Sequence, residues 1–210
     1  MGVLKNTILM FVITAITVLS LQAQTNETIN AFSESYSHEY EGEYAKAIQK
    51  IRNVYVETSY AINIRLGWLS YLNGDFMGSI SYYKKSISLM PYSIEARLGI
   101  VYPAYAMGNI DQVQTVYLQI LDLDPKNYTA NYKLAGVYYG KELYKESFQL
   151  LQTIVNLYPF DYSSTILFAW VNLKLGNSKE AKILFNKTLT ISPNDISALE
   201  GLSILNQTSD

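Results

Sequence analysis

The sequence predicts an all-α solenoid of antiparallel helix pairs, and three observations carry that prediction. Prolines recur at Pro91, Pro125, Pro159 and Pro193, each 34 residues after the last, and the chain has only one other, Pro103. A turn glycine keeps the same interval at Gly74, Gly108 and Gly176, with Glu142 as the exception. Small and large residues also alternate in phase: Ser79, Val113, Ser147 and Ala181 lie four positions ahead of Tyr83, Tyr117, Leu151 and Phe185. A fixed period of this length marks a stacked helical array, because one helix pair cannot bury its apolar face alone.

At 210 residues with 49% hydrophobic content, the chain supports one sizeable, elongated core. Residues 1–23 read as a signal peptide. Lys5 supplies a positive start, Ile8 to Leu21 is apolar apart from Thr14, Thr17 and Ser20, and Ala23 is a small residue at the expected cut. A mature chain beginning at Gln24 would be exported, periplasmic or secreted. The alternative is an uncleaved membrane tether, since Leu21 is not small, but the run is short of the ~20 apolar residues a span needs. The chain has no cysteine, which excludes disulfides, a thiol nucleophile, a cysteine-ligated metal and a lipid-bearing cysteine. An exported protein without disulfides points to a bacterial envelope.

The elements then follow in order. Residues 24–59 form an atypical first repeat: Ile29, Phe32, Tyr36 and Tyr40 mark one face of a helix, and Gly42 turns the chain into a second helix with Tyr44, Ala47, Ile48, Ile51 and Val54 inward. Its turn glycine lies 32 residues before Gly74 rather than 34, as a terminal repeat allows. Four units in strict phase follow at 60–93, 94–127, 128–161 and 162–195. Their closing prolines end each second helix. In the second of these units Pro103 falls inside the first helix, where it is expected to kink or shorten it. Residues 196–210 supply a capping helix and a polar tail.

With each unit numbered from 1 to 34, position seven holds Leu66, Ile100, Leu134 and Phe168, and position eight holds Gly67, Val101, Ala135 and Ala169. Together with the turn glycine, the small position twenty, the large position twenty-four and the closing proline, this resembles the tetratricopeptide repeat family. The usual tryptophan at position four is replaced by Asn63, Arg97, Asn131 and Thr165, and Leu98-Gly99 sits two places early. The resemblance implies a right-handed superhelix whose first helices line a concave face.

Chemistry is sparsely signalled. The formal charge of −2, or −3 without the leader and its Lys5, lacks the basic footprint of a nucleic-acid binder. His38 is the only histidine, four residues after Glu34 and near Glu39, Glu41 and Glu43. Two dependable ligands are too few for a structural zinc site, so a solvated acidic face is expected rather than a metal centre. No phosphate loop or metalloprotease pattern is present. The expectation is a protein with no catalytic residues, cofactor or metal.

Mapped through the resemblance, the concave face takes Ile64, Leu98, Tyr132 and Ile166 at position five. Position nine gives Trp68, Tyr102, Gly136 and Trp170, and position twelve gives Tyr71, Tyr105, Tyr139 and Leu173. Both tryptophans fall in this set. Such a groove suits an extended or helical peptide and could stack sugar rings. The bland expectation is that the same aromatics simply pack against neighbouring helices. The lysines and asparagines of a terminal-carboxylate clamp are absent, with Ile64, Trp68 and Leu72 in their places. The expected function is therefore protein–protein interaction, as an adaptor or assembly factor of the cell envelope that holds a peptide segment. The alternatives are a glycan-binding accessory protein and a structural subunit of an envelope complex.

Overall fold

The computed structural model describes residues 25–207, so the leader expected at 1–23 lies outside the described residues, as does the end of the tail. Within that range the fold is all-α. Residues 25–40 form α1, followed by α2 (Tyr44–Asn53), α3 (Tyr60–Leu72), α4 (Phe76–Leu89) and α5 (Ile94–Ala106). These belong to a first compact unit that ends at Met107. The second unit begins at Gly108 and holds α6 (Ile110–Leu123), α7 (Tyr128–Gly140), α8 (Tyr144–Leu157), α9 (Tyr162–Lys174), α10 (Ser178–Ile191) and α11 (Ile196–Gln207). Consecutive helices pack as antiparallel pairs in each, with α3 on α4 in the first and α7 on α8 and α9 on α10 in the second. α11 covers α10 and α9.

A repeating set of bonds fixes the helix starts. Ser59, Ser93, Asn127, Asp161 and Asp195 are spaced by 34 residues, and each side chain accepts a hydrogen bond from the backbone N–H three residues on. Such caps satisfy one of the orphan N–H groups that open every helix, each contributing about 1 kcal/mol. The tyrosine that opens a unit then reaches the cap that closes it. Tyr60 Oη lies 2.6 Å from Ser93 Oγ, Tyr128 donates to Asp161 at 2.7 Å and Tyr162 donates to Asp195 at 2.7 Å. Burial alone would raise the Asp161 pKa, but donors from Ser164 and Tyr128 hold it below the ordinary aspartate value.

The missing tryptophan mark now has a physical reading. Asn63 and Asn131, both buried, donate to the carbonyls of Glu57 and Ser59 and of Pro125 and Asn127, so position four pins the preceding turn by hydrogen bonds. Arg97 does the same to the Ser93 carbonyl at 2.8 Å. At position twenty, Ser79 and Ser147 donate to the position-eight carbonyls of Gly67 and Ala135, tying the two helices of a pair together.

Gly99 is a matched part of the core rather than an offset copy of the family glycine. The buried ring of Tyr83 lies between Gly67 and Gly99: a methyl group at Gly67 would sit 3.0 Å from it, and one at Gly99 would overlap it. Gly201 of α11 meets the ring of Phe185 in the same way, and that ring is fully buried. Both glycines stand at position six, directly opposite an aromatic at position twenty-four of the unit before. α11 thus continues the repeat phase.

One expectation is corrected in part. Pro103 does not shorten its helix, since α5 has 13 residues, as α3, α7 and α9 do. The ring is buried in the last turn, and Met107 N–H bonds the Pro103 carbonyl directly after it. Glu142 also keeps the turn that its glycine counterparts make, adopting φ 60° where Gly74, Gly108 and Gly176 take 70° to 81°. The following Leu143 offers no side-chain cap, whereas Asp75 and Asn109 do at the equivalent place.

Candidate functional site

α1 was expected to carry one apolar face, and it does so in an unexpected way. The residues it buries are Ala31 and Ser35, while Phe32, Tyr36 and Tyr40 look into a cleft of about 840 Å³. α2 contributes Tyr44, α3 contributes Tyr60, Ile64, Arg65, Trp68 and Leu72, and Glu95 opens α5 at the margin. All of these lie in the first unit.

Arg65 forms the polar floor. It is the only charged residue of α3 and is 5% exposed. Its Nε and Nη2 donate to Ser35 Oγ at 3.1 and 3.0 Å, and Nη1 donates to Glu39 Oε2. The guanidinium also lies over the Tyr36 ring, 3.8 Å from its centre. Trp68 completes the network by donating from Nε1 to Glu39 Oε1 at 2.6 Å. Both oxygens of Glu39 are therefore occupied, and the buried charge is compensated as burial demands. The indole is fixed by that bond and by Tyr102, edge-on at 5.8 Å, and Tyr71 at 5.6 Å.

The expected groove residues divide between the two units. Ile64 and Trp68 line the cleft, and Tyr71 and Tyr102 back the indole, 5.7 Å from each other. Leu98 is half-buried and Tyr105 is exposed. In the second unit Tyr132, Tyr139, Ile166 and Trp170 pack against its hydrophobic core. Tyr132 stacks on Tyr128 at 6.0 Å and Tyr139 meets Tyr144 at 5.5 Å. Trp170 stands edge-on to Phe185 at 5.2 Å and donates to Ser197 of α11 at 2.8 Å. Sequence reasoning missed Arg65, Glu39 and the α1 aromatics. The available signal was a lone charge in the otherwise uncharged helix YAINIRLGWLSYL.

His38, also on α1, is half-buried. Its Nδ1 is 2.8 Å from Glu43 and 3.7 Å from Glu41, and the three residues offer ligand atoms within 4.8 Å of one another. Lys46 already holds the other oxygen of Glu43 at 2.6 Å, and with His38 it keeps that carboxyl below the ordinary range. Glu34 turns to Lys50 instead of His38, and that ammonium lowers its pKa. The Lys46–Glu43 and Lys50–Glu34 ion pairs beside His38 are solvent-exposed.

Among the described residues no helix is long and apolar enough to cross a membrane. The tetratricopeptide repeat family model matches residues 165–195, which carry α10 and most of α9. A TPR repeat-containing protein of Methanocaldococcus jannaschii, MJ1428, is 27% identical over 195 residues, covering 88% of this chain. The chain spans 34% of that relative's length. Among solved structures, a tetratricopeptide repeat protein from Parabacteroides merdae superposes with a TM-score of 0.72 at 18% identity, over 86% of this chain and 72% of that one. YrrB, described as a tetratricopeptide repeat protein with an unusual peptide-binding site, superposes with a TM-score of 0.67 at 8% identity, over 89% of this chain and 97% of that one. At these identities the superpositions speak for the fold alone. One tetratricopeptide-type repeat is thus matched at residues 165–195, and the described helix pairs share the helical-repeat fold of the solved tetratricopeptide repeat proteins.

Proposed function

We propose that the protein is an adaptor or assembly factor of the cell envelope that holds a peptide segment of a protein partner in the cleft between α1, α2 and α3. One observation carries this reading: the aromatic walls of the cleft stand on a floor whose polar groups are already satisfied by one another. That network holds the Trp68 indole and packs against the Tyr36 ring before a ligand arrives, which lowers the ordering cost of binding. A volume of about 840 Å³ lies within the range of ligand clefts and has room for a short length of extended chain. Trp68 and the tyrosines supply flat apolar area with hydroxyls for backbone bonds. The leader-like residues 1–23 and the absence of cysteine support the envelope setting.

The test is to probe peptide and glycan arrays with the wild type and with Trp68→Ala. Peptides bound by the wild type and lost by the variant, with the fold intact by circular dichroism, are the expected result. Glycans bound in place of peptides would hand the same rings to the sugar-binding alternative. An intact mass beginning at Gln24 is the expected sign of export, and a retained leader would indicate a tether.

A further inference from the structure

Taking the peptide-binding reading of the cleft as its basis, we infer that the occupant presents a basic side chain, arginine or lysine, toward Glu95. Three charged side chains line the cleft: Glu39, Arg65 and Glu95. Arg65 spends its hydrogen-bonded nitrogens on Ser35 and Glu39, and Glu39 has one oxygen on Arg65 and the other on Trp68. These two neutralise each other, so the net charge of the cleft lining is that of Glu95. An anionic group entering the cleft would have to strip Glu39 from a buried guanidinium. Glu95 differs. Its partner is the neutral Tyr60 hydroxyl, which donates to it at 2.9 Å, and it forms no ion pair among the described residues.

Rings elsewhere in the cleft suit the same charge. Tyr36 already carries the Arg65 guanidinium on one side, so this wall is suited to stacking a cation. Tyr40 is 95% exposed and has no ring partner among the described residues. A guanidinium or ammonium meeting Glu95 gains a carboxylate without displacing an existing ion pair, and the rest of its chain can lie against the cleft's rings.

The test uses the full chain carrying Trp170→Phe, which leaves Trp68 as the only tryptophan, so indole emission reports on the cleft. The probes are acetylated amides of tetra-arginine, tetra-citrulline and tetra-glutamate. Tetra-arginine should shift the emission saturably. Glu95→Gln, which keeps an acceptor for Tyr60, should weaken its binding roughly fivefold, the scale of a single partly screened ion pair. Tetra-citrulline has a similar shape without the charge and should bind as weakly to the wild type as tetra-arginine does to the variant. Equal binding of tetra-arginine to wild type and Glu95→Gln, or tighter binding of tetra-glutamate, overturns the inference. Array peptides of neutral or acidic composition that need Trp68 would overturn it too, while leaving the cleft itself as the peptide site. An array with no peptide bound would sink both readings.

Discussion

Trp68 and Trp170 occupy the same position of the repeat, yet they do different work. Trp68 lines an open cleft, its N–H committed to the Glu39 carboxylate of α1. Trp170 stands against the fully buried Phe185, its N–H committed to Ser197 of the helix that follows its own pair. Repeat phase decides which face of a helix a residue occupies. What that face meets is decided by the neighbouring helix, and here the neighbours differ: α1 offers an acid and a row of rings, while α11 offers a hydroxyl and a cover.

The largest expected effect tests the floor under Trp68. Arg65→Ala leaves the buried Ser35 without its guanidinium donor and Glu39 with Trp68 alone and no counter-charge, and should cost about 3 kcal/mol in chemical denaturation. A cost near zero would mean that the network does not hold the first unit together. Next, Trp170→Ala should cost about 3 kcal/mol, as expected for an aromatic packed on a core ring, and Trp68→Ala about half as much. Equal losses would erase the distinction drawn between the two residues. Gly99→Ala and Gly201→Ala should each cost about 2 kcal/mol by overpacking against Tyr83 and Phe185, so in this respect the two units should behave alike. The smallest change is a gain: Glu142→Gly should add about 1 kcal/mol to the second unit by relieving a left-handed backbone, read as a higher melting temperature. If Glu142→Gly melted lower, the turn would have to owe its shape to the glutamate side chain.

Much of the fold was legible because it is local and periodic. Leu66, Leu134 and Phe168 at position seven are buried, as are Ser79, Val113, Ser147 and Ala181 at position twenty. The caps at Ser59, Ser93, Asn127, Asp161 and Asp195 were equally legible at the 34-residue interval, and the sequence reading passed over them. Gly99 looked like a misplaced copy because its reason lies in Tyr83, 16 residues earlier and on another helix. The cleft was harder still. Ile64 and Trp68 could be placed by phase, but Arg65 acts through Ser35 and Glu39 on the atypical first helix, where no repeat register exists to align them. Pairings across 26 to 30 residues leave no trace in a pattern built on 34.

The tyrosine bond to the cap 33 residues on makes each such unit chemically self-closing. Removing residues 128–161 would set Asn127 directly before Tyr162. Asparagine is as good a helix starter as the aspartate it would replace, and Tyr162 would keep its own partner in Asp195. Insertion of a whole copy leaves the joints equally sound, whereas a gain or loss of any other size strands a tyrosine and exposes an uncapped helix. A change of copy number by such a whole unit therefore leaves no helix start uncapped at the seam.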